Sequence, residues 1–294
     1  MNGESRPVAE PIAAAPPHIA EVEAGVERRR AERAMRARLS AVIAPAGVVI
    51  ALLALWEAGT RAFGVPAFLL PPPSAVVAAM GKHAALLAVA TGVTTLEIVL
   101  GFALSIAVGI PLALMIFMWP PFARAVLPLL VSSQAMPKVA VAPLLLVWFG
   151  FGLVPKVLIA FLIAFFPVVI NTAVGLAAIE PEKIHLARSM GLGAVDTFFK
   201  IRLPDALPAI FAGLKISITL AVVGAVVGEF VGGDAGLGYL LMVANGSMDT
   251  QLLFAGIVCL TILGVALYLA VELIERLVIP RHIIADERAA GGTL

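Results

Sequence analysis

The chain has 294 residues, of which 61% are hydrophobic and 13% charged, and its formal net charge is +1. A soluble globular chain is nearer half apolar and a quarter charged, so this composition, with a mean hydropathy of +1.06, excludes a solution fold for most of the chain and makes lipid its solvent. The near-zero charge gives nucleic acid no footing, and the lone cysteine, Cys259, excludes an intrachain disulfide or a multi-cysteine zinc site.

Residues 1–38 read as a cytoplasmic tail. Its first 25 residues are rich in Pro, Ala and Glu without apolar period, as in a disordered segment, and Glu27–Arg38 carries six arginines in twelve residues. The first apolar run begins near Leu39, late for a signal peptide, so it reads as a retained anchor. A span needs about 20 apolar residues to cross about 30 Å of hydrocarbon. Six segments meet that length: Leu39–Ala58, Thr91–Met118, Ala125–Phe149, Pro155–Ala178, Pro208–Val231 and Leu252–Val278. Backbone groups in lipid must be satisfied internally, and no alternating ten-residue pattern suggests a barrel, so an all-α polytopic membrane protein is predicted.

The basic residues orient it. With the amino terminus inside, the cytoplasmic side receives the arginine cluster, Arg124, Lys183, Arg188, Lys200, Arg202, Arg281 and Arg288, against Arg61, Lys82 and Lys156 outside. The segment Gly232–Thr250 has neither Lys nor Arg. Both termini are therefore predicted to be cytoplasmic. Prolines between Gly64 and Pro73 fix an extended outer linker, after which Ser74 is expected to cap a short helix to about Leu87. Pro111, Pro137, Pro143 and Pro167 fall inside spans and predict kinks, found in path-lining helices and in inert bundles alike. Gly224, Gly228 and Gly232 form a small-residue series for close helix contact, within the bundle or between subunits.

The segment Glu180–Asp205 is too polar to span. Pro181 suits a first helical turn, Ile184, Ala187 and Arg188 share one face, and Gly191 sits where a left-handed cap would end the helix. A second short helix, with Val195, Phe198, Phe199 and Arg202 on one side, is expected to stop before Pro204. The pair either rests on lipid headgroups as an amphipathic surface element or docks a partner.

Charges within spans are functional suspects. Lys138, beside Pro137, reads either as an anion-attracting group on a path or as a lysine reaching the interface. Glu229 is expected to fix the following glycine-rich loop. Glu97 is expected to pair with a cation from another helix, Lys215 to snorkel to the cytoplasmic surface, and Asn171 and Thr172 to bond across helices. Lys138, Asn171 and Glu229 are the candidate path residues. No G-x-x-x-x-G-K-[ST], H-E-x-x-H or G-x-S-x-G occurs, and the four histidines are scattered. Neither a catalytic constellation nor a cofactor or metal site is predicted. A secondary transporter or channel using Glu97, Lys138 and Glu229 stays open at this level, although no internal repeat is evident.

The spacing Ala187, Gly191, Ile201, Leu203-Pro204 resembles the EAA signature of ABC importer permeases, with His185 where that family usually has Glu and Leu186 where it has the first Ala. Phe68–Pro71, Ala135–Gly150, Phe166–Gly175 and Gly228–Tyr239 resemble the nitrate/sulfonate/taurine branch, except that Glu97 stands where a basic residue is more usual. The resemblance implies a type I importer permease fold of about six helices. It implies a first helix and outer linker over 39–86, a permease core over 87–280 with a coupling loop at 180–205, and a cytoplasmic tail over 281–294. His185, Ala187, Arg188, Gly191, Phe198, Phe199, Ile201, Leu203 and Pro204 would form the coupling surface. The implied partners are a dimer of ABC ATPase subunits that binds the ATP, a second permease copy (a homodimer), a periplasmic or lipoprotein substrate-binding protein, and the lipid of a bacterial inner membrane. The implied cargo is a small anion such as a sulfonate, taurine or nitrate, with aromatic acids and vitamin precursors as the alternative.

Overall fold

The computed structural model describes residues 47–279. The predicted tails and residues 39–46 of the first predicted span lie outside them. The chain divides into two compact units at Gly64/Val65. The first contains helix α1, residues 47–62, in which the Thr60 hydroxyl donates to the Trp56 and Glu57 carbonyls, each at 3.0 Å.

The second unit contains α2 (Pro73–Lys82), α3 (Ala84–Met118), α4 (Pro120–Gln134), a 3-10 turn (Lys138–Val141), α5 (Ala142–Phe149), α6 (Leu153–Ala177), α7 (Pro181–Ser189), α8 (Ala194–Thr197), α9 (Leu203–Gly232), α10 (Leu237–Gly246) and α11 (Thr250–Val278). The described residues hold no strand. Helices α3, α6 and α11, and the continuous stretch Ala194–Gly232, are each long and apolar enough to cross a membrane.

The predicted span Ala125–Phe149 is not one helix: α4 and the Lys138–Phe149 segment are bent by 88°. Pro137 lacks an N–H and drives Met136 out of the helical region, so the ladder ends at the polar run Ser132-Ser133-Gln134. The other prolines are absorbed. Pro111 and Pro167 lie inside unbroken helices, and Pro143 occupies the first turn of α5, where no N–H is needed. At α2 the cap residue is Pro72 rather than Ser74, and the helix stops at Lys82 instead of about Leu87.

Helix α6 is packed between α3 and α9 with almost no side chain intervening. Ala160 is the closest point. A Cβ on Gly101 of α3 would lie 2.6 Å from the Ala160 Cβ, and one on Gly224 of α9 would lie 2.5 Å from the Ala160 Cα. Gly228 faces the Lys156 Cα at 3.0 Å, and Gly232 abuts Leu146 of α5. The glycine series therefore serves packing within the chain. Lipid tails are as apolar as leucine, so helices hold together in a bilayer by this close dispersion contact. The trio α3–α6–α9 is the frame that carries the two ends described next.

Candidate coupling loop and buried charge cluster

At one end of α6 the chain turns into α7. This short helix closes with the two hydrogen bonds of a Schellman cap: Leu192 N–H donates to the Ala187 carbonyl at 3.1 Å and Gly191 N–H to that of Arg188 at 3.0 Å. Gly191 has φ +82°, the predicted left-handed turn. Ala187 is buried, whereas His185 and Arg188 are exposed.

Beyond the turn, the structure departs from the sequence reading. The second helix does not stop before Pro204. It runs from α8 through one wide π turn, Phe198–Arg202, straight into α9. Pro204 cannot donate to Lys200 and its ring would clash there; the wider turn moves that carbonyl aside. The loop is thus bolted to a membrane-crossing helix. Phe198 and Phe199 pack edge to face at 5.1 Å, and Arg202 lies 5.0 Å over the Phe117 ring of α3. Lys183 pairs with Asp205 at 2.9 Å, tying α7 to the start of α9. Ile201, Leu203 and Pro204 are half-buried, while Leu186, Met190, Val195 and Phe199 present apolar side chains to the outside.

The opposite end of the trio holds three charges with almost no solvent contact: Glu97 (1% exposed), Lys156 (2%) and Glu229 (0%). Lys156 Nζ lies 3.0 Å from Glu97 Oε1 and 3.3 Å from Asp234 Oδ1. Glu229 accepts from the Thr94 hydroxyl at 2.6 Å and from the N–H groups of Gly238 and, at 3.3 Å, Tyr239. Thr94 in turn accepts from Leu237 N–H at 2.8 Å. Glu229 and Thr94 therefore satisfy the free amides at the start of α10, where a carboxylate is also favoured by the helix dipole. Asp234 lies on the loop after α9; its own backbone N–H and the Lys156 ammonium hold its carboxyl below the usual range. The pairing expected of Glu97 and the loop-fixing role expected of Glu229 are both present. The polar residues at 94, 156 and 234 were missed as a group, since the charge signal placed Lys156 in an outer loop.

Other expectations are corrected. Lys215 is not left to solvent alone: it pairs with Glu275 Oε2 near the end of α11 at 2.8 Å, both side chains mostly covered. Asn171 does not bond across helices but donates to its own helix at the Pro167 carbonyl, 2.9 Å away, and the Thr172 hydroxyl is buried without a described partner. Lys138 opens the 3-10 turn at the bend, half-buried, far from this cluster in sequence and without an ion pair to a described residue. No hydrogen bond or ion pair among the described residues joins the three candidate path residues to one another. Among the described residues no group of His, Cys, Asp and Glu could hold a metal ion.

Comparison with known proteins gives a consistent picture. The family described as "Binding-protein-dependent transport system inner membrane component" matches residues 105–282. The formylaminopyrimidine transport permease protein of Halalkalibacterium halodurans is 35% identical, over 78% of this chain and 92% of its own. The riboflavin transport system permease protein of Chloroflexus aurantiacus is 39% identical, over 78% and 86%. A putative aliphatic sulfonates transport permease protein of Bacillus subtilis is 32% identical, over 76% and 82%. Among solved structures, an inward-facing methionine ABC transporter matches with a TM-score of 0.60 at 20% identity, covering 68% of this chain and 99% of that one, a likeness of fold.

Proposed function

This chain belongs to the inner membrane components of binding-protein-dependent transport systems, and from that premise we propose that it is the path-forming subunit of an ATP-driven importer, coupled through the α7–Gly191–α8 loop. The observation that carries the coupling reading is mechanical. Exposed Leu186, Met190, Val195 and Phe199 form an apolar contact surface, and the π turn joins that surface to the crossing helix α9. A partner ATPase dimer seated on it would move α9, and with it α6 and α3, as one body. The chain has no phosphate-cradling glycine motif and no cofactor of its own in this reading; the partner binds the ATP. A second copy of this chain completes the path, and a substrate-binding protein delivers cargo at the opposite face. Both termini lie on the ATPase side of the inner membrane.

Glu97 and Glu229 are engaged by Lys156 and by the start of α10, which favours this reading over an ion relay. The cargo is a small polar solute. The resemblance to sulfonate-type permeases favours an anion; the higher identities to the formylaminopyrimidine and riboflavin proteins favour a nitrogen heterocycle. Titrating the cognate binding protein with taurine, nitrate, an alkanesulfonate, a formylaminopyrimidine and riboflavin separates the two.

Gly191→Val tests the coupling. A branched side chain at φ +82° costs about 1–2 kcal/mol. The variant is expected to insert normally yet to lose roughly 5- to 30-fold in ATP-driven uptake if that whole cost falls on the coupled state, since 1.4 kcal/mol is a factor of ten. Normal uptake by this variant, or uptake without any partner ATPase, overturns the reading.

A further inference from the structure

The frame α3–α6–α9 is too tightly packed at Ala160 to pass a solute, so the path is lined elsewhere. Of the candidate path residues, Glu229 is engaged at the start of α10 and Asn171 on its own helix. The break between α4 and α5 remains. Ser132 through Pro137 are exposed there, and Lys138 is half-buried with no ion pair to a described residue. The break lies between the two ends of the frame. Helix α4 starts next to the end of α3, where Arg202 covers Phe117, and its 15 residues rise about 22 Å. Helix α5 then lies beside Gly232 near the charge cluster.

At that depth irregular backbone and a cationic side chain cannot face acyl chains. Unpaired peptide groups cost several kcal/mol each in hydrocarbon, and such breaks persist only where protein buries them or water reaches them. The neighbouring Leu129 and Val131 of α4 present ordinary apolar side chains. We propose that this break is a solute-contact segment of the path, with Gln134 and Lys138 facing water and Lys138 making it selective for anions over cations. The proposal deepens the importer reading and rests on it for its function, but its test does not require transport.

Cys259 is the only cysteine, so a Cys259→Ala background accepts single reporters. The full chain, co-expressed with its ATPase, is labelled in membrane vesicles with and without ATP. The probes are an anionic sulfonatoethyl and a cationic trimethylammonium-ethyl methanethiosulfonate, their rates normalised to those with a free thiol in solution. Cysteines at Gln134→Cys and at the near-isosteric Ser133→Cys are expected to react, and Ile262→Cys on α11 to stay silent. The anionic reagent should lead by roughly tenfold, the size of one unshielded charge at close range in a partly desolvated channel. Lys138→Met should bring the ratio near one, Lys138→Glu should reverse it, and Lys138→Arg should keep it. Reporters silent to both reagents in both states would mean that lipid or a second copy covers the break, and the proposal falls. A ratio indifferent to Lys138→Met also overturns it. Failure of ATP-driven uptake in the unaltered complex would instead overturn the importer reading and leave the labelling result standing.

Discussion

Glu229 shows how one buried carboxylate can be structural. It meets three donors, the Thr94 hydroxyl and two amides of α10, and replacing it with Gln removes the charge and turns an NH2 toward amide donors. Glu229→Gln is expected to cost about 2–3 kcal/mol, within the range for hydrogen bonds to charged groups, read as a lower unfolding midpoint in detergent. Lys156 answers differently because it shares its burial with Glu97. Lys156→Met strands that carboxylate and is expected to cost about 3–5 kcal/mol, whereas Glu97→Leu combined with Lys156→Met should recover most of the loss. Equal midpoints for the single and double variants would refute the coupling. Asp234 adds an acid limb. Its folded carboxyl sits below the usual range, so its contribution is present above the unfolded value near 3.9 and is lost as pH falls through the lower folded value. Asp234→Asn should remove that limb from the pH dependence of the midpoint.

Among the elements, α6 has the least freedom to change. Gly224→Leu would drive a side chain into the Ala160 backbone, and overpacking of this kind costs about 1–3 kcal/mol or more; loss of monodisperse protein on gel filtration is expected, with Gly264→Leu, whose site is open by comparison, as the tolerated control. The Gly191 turn was legible because a Schellman cap is local: a helix start at Pro181, an apolar face and one glycine suffice to place it. The glycine series was legible as a contact surface but not as to its partner. The run through Pro204 was not legible, because a π turn has no composition of its own and proline ordinarily ends a helix. The break at Pro137 was visible only as a proline in a long apolar run, since length alone cannot tell one kinked span from two short helices. The charge cluster was hidden for another reason. Glu97, Lys156, Glu229 and Asp234 come from separate stretches, and hydropathy reports each residue's burial cost without reporting the neighbour that compensates it.

At the scale of the whole second unit, one ion pair outside the cluster joins α9 to α11. Lys215 and Glu275 are 2.8 Å apart and largely covered. Charge exchange tests whether that pair holds the outer helix to the frame: Lys215→Glu and Glu275→Lys singly should each lower the unfolding midpoint, and together restore much of it, a coupling of about 1–2 kcal/mol in a double-mutant cycle. If the double variant is as unstable as the sum of the singles, α11 is held by packing alone.

The two ends of the frame also act as a gauge. Along α6, twenty residues separate Lys156 from Leu176, whose carbonyl receives Arg202, and along α3 the same count separates Glu97 from Phe117, the ring beneath Arg202. Each interval is about 30 Å of helix, the thickness of a typical hydrocarbon layer. The protein therefore carries polar groups at two levels along the frame, about one hydrocarbon thickness apart. In thicker membranes the Lys156–Glu97 pair sinks below the headgroups or the bundle tilts, and in thinner ones apolar rim surface stands in water, at fractions of a kcal/mol per Å either way.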